Sequence, residues 1–262
     1  MLIDTHCHLA AAEFATDRHL LAPAARAAGV AAMVVPAVDI ASLAEVHACC
    51  VRHPGCAAAY GIHPLFVGPA GESDLETLRG HLEQALAGPL RPVAVGEIGL
   101  DFFVAEAAVG RQEHFFVEQL KIARDTDLPV LLHVRRAVDQ VLKNLRRIKV
   151  RGGIAHAFNG SRQQAEEFIK LGFKLGFGGA LSYSGSTRIR RLAAELPLAS
   201  IVLETDAPDM PPAWIAGSRN TPLQLPRINE VLAALRGIDA GVLASATSAN
   251  ALAVLPELRL PE

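Results

Sequence analysis

The 262-residue sequence is long enough for a sizeable core in one domain, and its 51% hydrophobic and 20% charged residues exclude a disordered or fibrous chain. Lys and Arg total 25 against 27 Asp and Glu, so a formal charge of −2 excludes a whole-molecule attraction to polyanions or acidic membranes. Any such ligand would need local basic groups.

The first expected strand covers residues 2–6, in a segment reading MLIDTHCHLA. That segment has no basic leader, and no later run reaches the ~18 apolar residues of a membrane span, so a cytoplasmic protein with no membrane partner is expected. Seven further β-rich or apolar runs follow near residues 30–36, 57–62, 92–97, 129–133, 152–157, 173–178 and 200–205. Helical patterns lie between them. Leu43, Val46, His47, Cys50 and Val51 share one face, as do Phe116, Leu120 and Ala123, and near the end Ile228, Val231, Leu232 and Leu235.

Boundary residues agree with this reading. Ser161 and Gln164 have capping-box spacing, Gly172 suits a helix C-terminal cap, and Pro129 enters a strand where its missing N–H costs least. Eight βα units without a linker predict an α/β fold of the (β/α)8 TIM-barrel type, a single domain over residues 1–262. An open doubly wound sheet would carry a glycine-rich phosphate loop after a strand, and neither G-x-G-x-x-G nor G-x-x-x-x-G-K-[ST] occurs. The Pro-rich stretch from Ala207 to about Pro226 follows the eighth strand and would sit at the barrel mouth, with Trp214 covering that end. Cys7, Cys49, Cys50 and Cys56 form neither a C-x-x-C pair nor a secreted framework, and are expected to be reduced packing residues.

His6 and His8 are two apart, so a strand continuing through them would point both imidazoles to one side. His-x-His alone is a weak signal. It gains weight because His63, Glu97, His133, His156 and Asp206 are placed at the ends of strands three, four, five, six and eight. Charged and imidazole groups at buried strand ends are costly unless paired or coordinated, and a barrel gathers such ends around one mouth. Four histidines and two carboxylates exceed what one tetrahedral ion needs and suit two divalent cations. His6, His8 and Asp206 would hold one, His133 and His156 the other, and Glu97 would bridge them. A nitrogen and oxygen donor set without Cys favours Zn²⁺, Mn²⁺ or Mg²⁺.

The stretches DTHCHL, GIHP, VGEIGLDFF, LPVLLHVRRA, HAFNGS, GFKLGFGGALSYS and LETDAPDMPP resemble, in order and spacing over essentially the whole chain, the TatD family of metal-dependent deoxyribonucleases, nearest its YjjV-like branch. That resemblance implies a (β/α)8 barrel with a metal centre whose ligands match His6, His8, Glu97, His133, His156 and Asp206. It also implies DNA as a transiently bound substrate. Two positions depart from the family pattern: Leu65 stands where many members have a second His, and Asn159 where Ser is frequent.

The expected activity is metal-dependent phosphodiester hydrolysis, as an exonuclease, because a narrow mouth takes a strand end more easily than an intact duplex. Asp206 is the candidate general base and Glu97 the second catalytic carboxylate. Glu204, two before Asp206, and Asp101 are expected behind the ligands, orienting them. His63 and Arg135 are expected to contact substrate phosphate, with Arg136 facing out. His19, His47, His53, His81 and His114 lie away from strand ends and take packing or surface roles. An amide, ester or lactone hydrolase on the same barrel is the alternative, although Glu97 stands where many such enzymes carry a carboxylated lysine. A non-catalytic metal-binding protein is the third, and would need a coordinatively closed site. No obligate protein partner is inferred.

Overall fold

In the computed structural model, which describes residues 1–104 and 108–261, eight strands form one parallel sheet in the order of the sequence. They are β1 (Leu2–Asp4), β2 (Val30–Pro36), β3 (Cys56–Tyr60), β4 (Ala94–Asp101), β5 (Val130–Arg135), β6 (Gly153–Ala155), β7 (Phe173–Phe177) and β8 (Ile201–Leu203). The last strand returns to the first: Thr5 N–H and its hydroxyl both donate to Leu203 O at 3.0 Å, and Asp206 N–H donates to His6 O at 2.8 Å. The sheet is thereby drawn into a (β/α)8 barrel. Residues 105–107 and 262 of the expected domain extent lie outside the described residues.

Helices α1 (Arg18–Ala27), α2 (Leu43–Arg52), α3 (Glu72–Ala87), α4 (Val109–Asp125), α5 (Val138–Arg147), α6 (Arg162–Lys170) and α7 (Thr187–Glu195) each link one strand to the next. Two more, α8 (Leu225–Arg236) and α9 (Ala240–Val254), follow β8. Their faces follow the apolar periodicity. In α5, Val141, Leu142 and Leu145 are buried against the sheet while Arg146 and Arg147 occupy the last turn, where cations complement the helix dipole. Ser161 and Gln164 do form a reciprocal capping box at α6, at 3.1 and 2.8 Å, and Gly172 follows that helix at φ +85°.

Alternating strand residues pack in two separate clusters. Ile3, Ala32, Val34, Ala59, Leu131, Ile154 and Val202 form the smaller one, together with Leu255 and Leu258 from beyond α9. It fills the barrel interior, and the other strand face packs under the helices. The period of two then decides what stands above this filling: His133 follows Leu131, His156 follows Ile154, and Glu204 and Asp206 follow Val202. The interior is apolar below and polar at the mouth.

Several strand limits differ from the expected ones. β1, β6 and β8 stop two residues early, so His6, His156, Glu204 and Asp206 lie in the segments just past their strands. β4 instead runs four residues further, so Glu97 lies inside a strand, and His133 and Arg135 lie inside β5. The cause is a register shift between Val95 and Ile98, after which Ile98, Gly99, Leu100 and Asp101 pair with Leu132 to Arg135. Gly99 permits this contact. Its φ is +149°, and a Cβ there would lie 1.9 Å from His133 O.

The four cysteines are buried free thiols. Among the described residues no single helix is long and apolar enough to cross a membrane. Trp214 is half-buried in the segment after β8, donating to Gln224 Oε1 at 2.7 Å beneath the Arg227 guanidinium.

Candidate metal centre

The first-strand histidines reach the mouth because the backbone beyond Asp4 is tied to β8. Buried Asp4 accepts from His6 N–H at 3.3 Å and Thr205 N–H at 2.9 Å with Oδ1, and from the Thr205 hydroxyl at 2.6 Å with Oδ2. One carboxylate therefore fixes the segment carrying His6 and His8 against the segment carrying Asp206. Asp206 has φ +57°, a left-handed conformation that Asp tolerates better than most residues. Arg136, Ala157 and Met210 are also left-handed, at +55°, +45° and +48°, and like Asp206 they lie in the segments after strands. Such conformations cost about 1–3 kcal/mol each and persist where surrounding structure over-determines them.

Glu97 is the hub. Its Oε2 lies 3.0 Å from His6 Nε2 and 3.4 Å from His8 Nε2. Its Oε1 lies 3.0 Å from His133 Nδ1, 2.9 Å from His156 Nε2 and 3.5 Å from His63 Nε2. Asp206 Oδ1 stands 3.7 Å from Nε2 of both His6 and His8. The structure thus brings together His6, His8, Glu97, His133, His156 and Asp206, with His63 beside them. Donor atoms of His6, His8 and Glu97, of His6, His156 and Asp206, and of His63, Glu97 and His133 each lie within 4.8 Å of one another.

This donor set fits a divalent cation. His6 Nε2 is 3.2 Å from His8 Nε2, and His156 Nε2 is 3.4 Å from His133 Nδ1, so lone-pair-bearing nitrogens converge where a proton or a cation must sit between them. Burial, aided by the neighbouring His156, pushes the His6 imidazole down to about 3, which keeps it neutral. Burial also works against charge on His156, but Glu97, Asp206 and Glu204 outweigh it and raise that imidazole to about 10. The concentrated carboxylate charge draws positive charge into the cluster.

Tautomers separate the histidines further. His63 Nδ1 accepts from Leu65 N–H at 3.2 Å, so the neutral ring carries its proton on Nε2 and presents a donor to the centre, where a ligand would present a lone pair. His133 is held the other way: Nε2 lies 3.0 Å from Asp101 Oδ2, leaving Nδ1 to face Glu97. Asp101 also accepts from Phe103 N–H at 2.9 Å. Asp101→Asn is expected to lower apparent metal affinity about 10–100-fold by loosening the His133 tautomer. Metal titration followed by calorimetry checks this, and unchanged affinity would remove Asp101 from that role.

Glu204 lies on the His156 side, with Oε1 3.9 Å from His156 Nδ1 and accepting from Ala157 N–H at 2.5 Å. Glu204 thus stands behind His156, one of the candidate ligands, as its position two before Asp206 predicts. Burial raises its carboxyl to about 8. Arg135 is not drawn into the cluster. Its half-exposed side chain stands at the rim with Nη1 4.0 Å from Asp101 Oδ2 and the guanidinium 3.7 Å from the Phe103 ring centroid. Arg136 faces outward but leans over the same ring at 4.5 Å.

Sequence reasoning missed Asp4 and Gly176. An acidic residue inside the apolar run LID was the signal for the first, since a buried carboxylate needs several donors. Gly176 has no such signal: a Cβ there would lie 2.0 Å from Glu204 Oε2, a contact visible only once β7 and β8 are paired. The remaining histidines stay outside the centre, His47 bonding the Tyr60 hydroxyl at 3.2 Å and His114 the Glu72 carboxylate at 2.8 Å.

The model of the TatD related DNase family matches residues 3–256. The chain belongs to the TatD family. Among its TatD relatives is a protein of Escherichia coli strain K12 described as an uncharacterized metal-dependent hydrolase, YjjV, 42% identical over 249 residues and covering 95% of both chains. The 3'-5' ssDNA/RNA exonuclease TatD of Cronobacter sakazakii is 34% identical over 257 residues, 95% of this chain and 96% of that one. The crystal structure of Escherichia coli YjjV, a TatD homologue, superposes with a TM-score of 0.93 at 41% identity, covering 97% of this chain and 98% of the other. The barrel is therefore the TatD barrel, in a family of metal-dependent hydrolases, and His, Glu and Asp side chains at its mouth are candidate metal-binding groups.

Proposed function

We propose that this TatD-family chain is a metal-dependent phosphodiesterase that releases nucleotides from DNA ends, acting in the cytoplasm with two divalent cations, Zn²⁺, Mn²⁺ or Mg²⁺, at its mouth. The observation that carries this reading is the division of labour on Glu97: Oε2 faces His6 and His8, and Oε1 faces His133 and His156. A carboxylate with a separate imidazole pair on each oxygen is arranged to bridge two ions. His6, His8 and Asp206 would hold one and His133 and His156 the other. Bound cations supply Lewis acidity for the phosphoryl group and lower the pKa of a water nucleophile.

The chain's own residues do the rest. Asp206 is the general base, and its placement supports this: its side chain is 13% exposed, against 2% for Glu97 and 1% for Glu204, so it is the carboxylate of the cluster that meets incoming water and substrate. His63 Nε2–H donates to a phosphoryl oxygen. Asp101 holds His133 through its Nε2 at 3.0 Å, and Glu204 sets a carboxylate 3.9 Å from His156 Nδ1, where it favours positive charge on that ring. The polyanion finds local cations despite the net charge of −2: Arg135 and Arg136 end β5, and Arg188, in the first turn of α7, is held by Asn159 Oδ1 at 2.6 Å. The family departure at Asn159 thus gives a rim arginine its partner.

The test is nucleotide release from end-labelled single-stranded and duplex DNA with each metal and with a chelator, beside ester and lactone substrates. Metal analysis of protein purified without added ions accompanies it. Chelator-sensitive release from an end, with two ions per chain, is expected. Cleavage of esters or lactones with no nucleotide release under any metal would overturn the reading.

A further inference from the structure

Among the described residues Phe66, Phe103 and Tyr183 are the exposed Phe, Tyr or Trp side chains, and all three lie in segments that follow strands at the barrel mouth. Phe103 differs from the other two in its surroundings. It is 46% exposed, yet the guanidinium of Arg135 lies 3.7 Å and that of Arg136 4.5 Å from its ring centroid. Fully burying a phenylalanine gains ~1.5–3 kcal/mol, so a ring left half in water keeps part of that driving force for a further group to cover its exposed area.

The position of this ring is tied to the metal centre. Asp101 Oδ1 accepts from Phe103 N–H at 2.9 Å while Oδ2 lies 3.0 Å from His133 Nε2. One buried carboxylate therefore sets both a candidate ligand and the backbone that carries the ring. Arg135 enters from the paired strand, opposite Asp101 in the β4–β5 register. Among the described residues its nearest carboxylate partner is Asp101 Oδ2, 4.0 Å away and already engaged with His133, a separation too long for a hydrogen bond to the guanidinium. An aromatic face and two cations held at a fixed offset from a phosphodiester-cleaving centre match the two ends of a nucleotide: a base with a π-face and a phosphate.

We propose that Phe103, Arg135 and Arg136 form a nucleotide subsite beside the metal centre, in which the ring stacks on an unpaired base and the guanidiniums bind the adjoining phosphate. This deepens the phosphodiesterase reading and rests on it. The subsite requires a base freed from its duplex partner, so it selects single-stranded polynucleotide at that position. Phe103 acts as a specificity-determining residue.

The experiment uses metal-loaded protein and a fluorescein-labelled, hydrolysis-resistant phosphorothioate oligonucleotide, beside the same strand with abasic residues replacing its two terminal nucleotides at each end. Fluorescence anisotropy gives Kd. Stacking contributes ~1–3 kcal/mol per base, so the wild-type protein should prefer the base-bearing strand by about 5–150-fold. Phe103→Ala should lose most of that preference and Phe103→Trp should keep it. Arg135→Ala should weaken both strands alike and flatten the salt dependence of binding.

A preference retained in Phe103→Ala, with its melting temperature near that of the wild type, overturns the subsite, as does a wild-type protein that shows none. Nucleotide release by the wild type is measured in parallel on ordinary DNA. Absent release together with a Phe103-dependent base preference would sink the catalytic reading and leave the subsite standing. Release with a Phe103-independent preference would do the reverse.

Discussion

Glu97→Gln is expected to reduce hydrolysis by at least about 10³-fold, because one substitution removes the anion from both halves of the proposed centre. A loss of ~4 kcal/mol of transition-state stabilisation corresponds to that factor, and several kcal/mol is what cation-mediated charge stabilisation supplies. The amide keeps the shape of the side chain, so folding and metal loading can be separated by experiment. Wild-type protein at a metal concentration 100 times its Kd should gain ~2.7 kcal/mol of stability, or roughly 5–11 °C in melting temperature for a chain of this size. The variant should lose most of that metal-dependent shift and bind less than the full complement of ions. If it retained both stoichiometry and rate, Glu97 would not be the bridge, and the two-ion reading would fall with it.

Asp206→Asn is expected to act differently. The amide keeps an oxygen for coordination but cannot take a proton, so kcat should fall by about 10²–10⁴-fold while KM and metal stoichiometry change far less. Steady-state kinetics on a short single-stranded oligonucleotide, together with metal analysis, separates the two effects. A variant that loses its ions along with its rate would make Asp206 chiefly a ligand and move the base elsewhere. The contrast between Glu97 and Asp206 follows from burial. Glu97 lies within 3.5 Å of five imidazole nitrogens at the closed side of the cluster, whereas Asp206 borders the opening.

The barrel was legible because its signals are local and repeated. An apolar run recurs eight times with helical segments between, and each unit can be read within about thirty residues. The cluster at the mouth was legible because polar residues interrupt buried runs, as His133 does in PVLLHVRR and His156 in GIAHAF. The strand limits around Glu97 were not legible. They depend on the register shift between β4 and β5, which only the paired strands define. The directions of the rings were hidden for a related reason. His63 follows an apolar run much as His156 does, but the Leu65 N–H turns its Nδ1 away from the centre, a turn geometry that residue order does not encode. Phe103 is the second of two adjacent aromatics in VGEIGLDFF, and only the neighbouring strand shows the two guanidiniums over it.

The seam of the barrel lies where residues near 5 meet residues near 205, and Asp4 fastens it through Thr205. The same seam juxtaposes His6 and His8 with Asp206. During synthesis on the ribosome, a nascent polypeptide therefore carries the two imidazoles for some two hundred residues before their acidic counterpart emerges. A fragment ending before residue 206 would lack both the barrel seam and one of the six candidate ligands, so closure of the fold and completion of the proposed centre fall at the same point in synthesis.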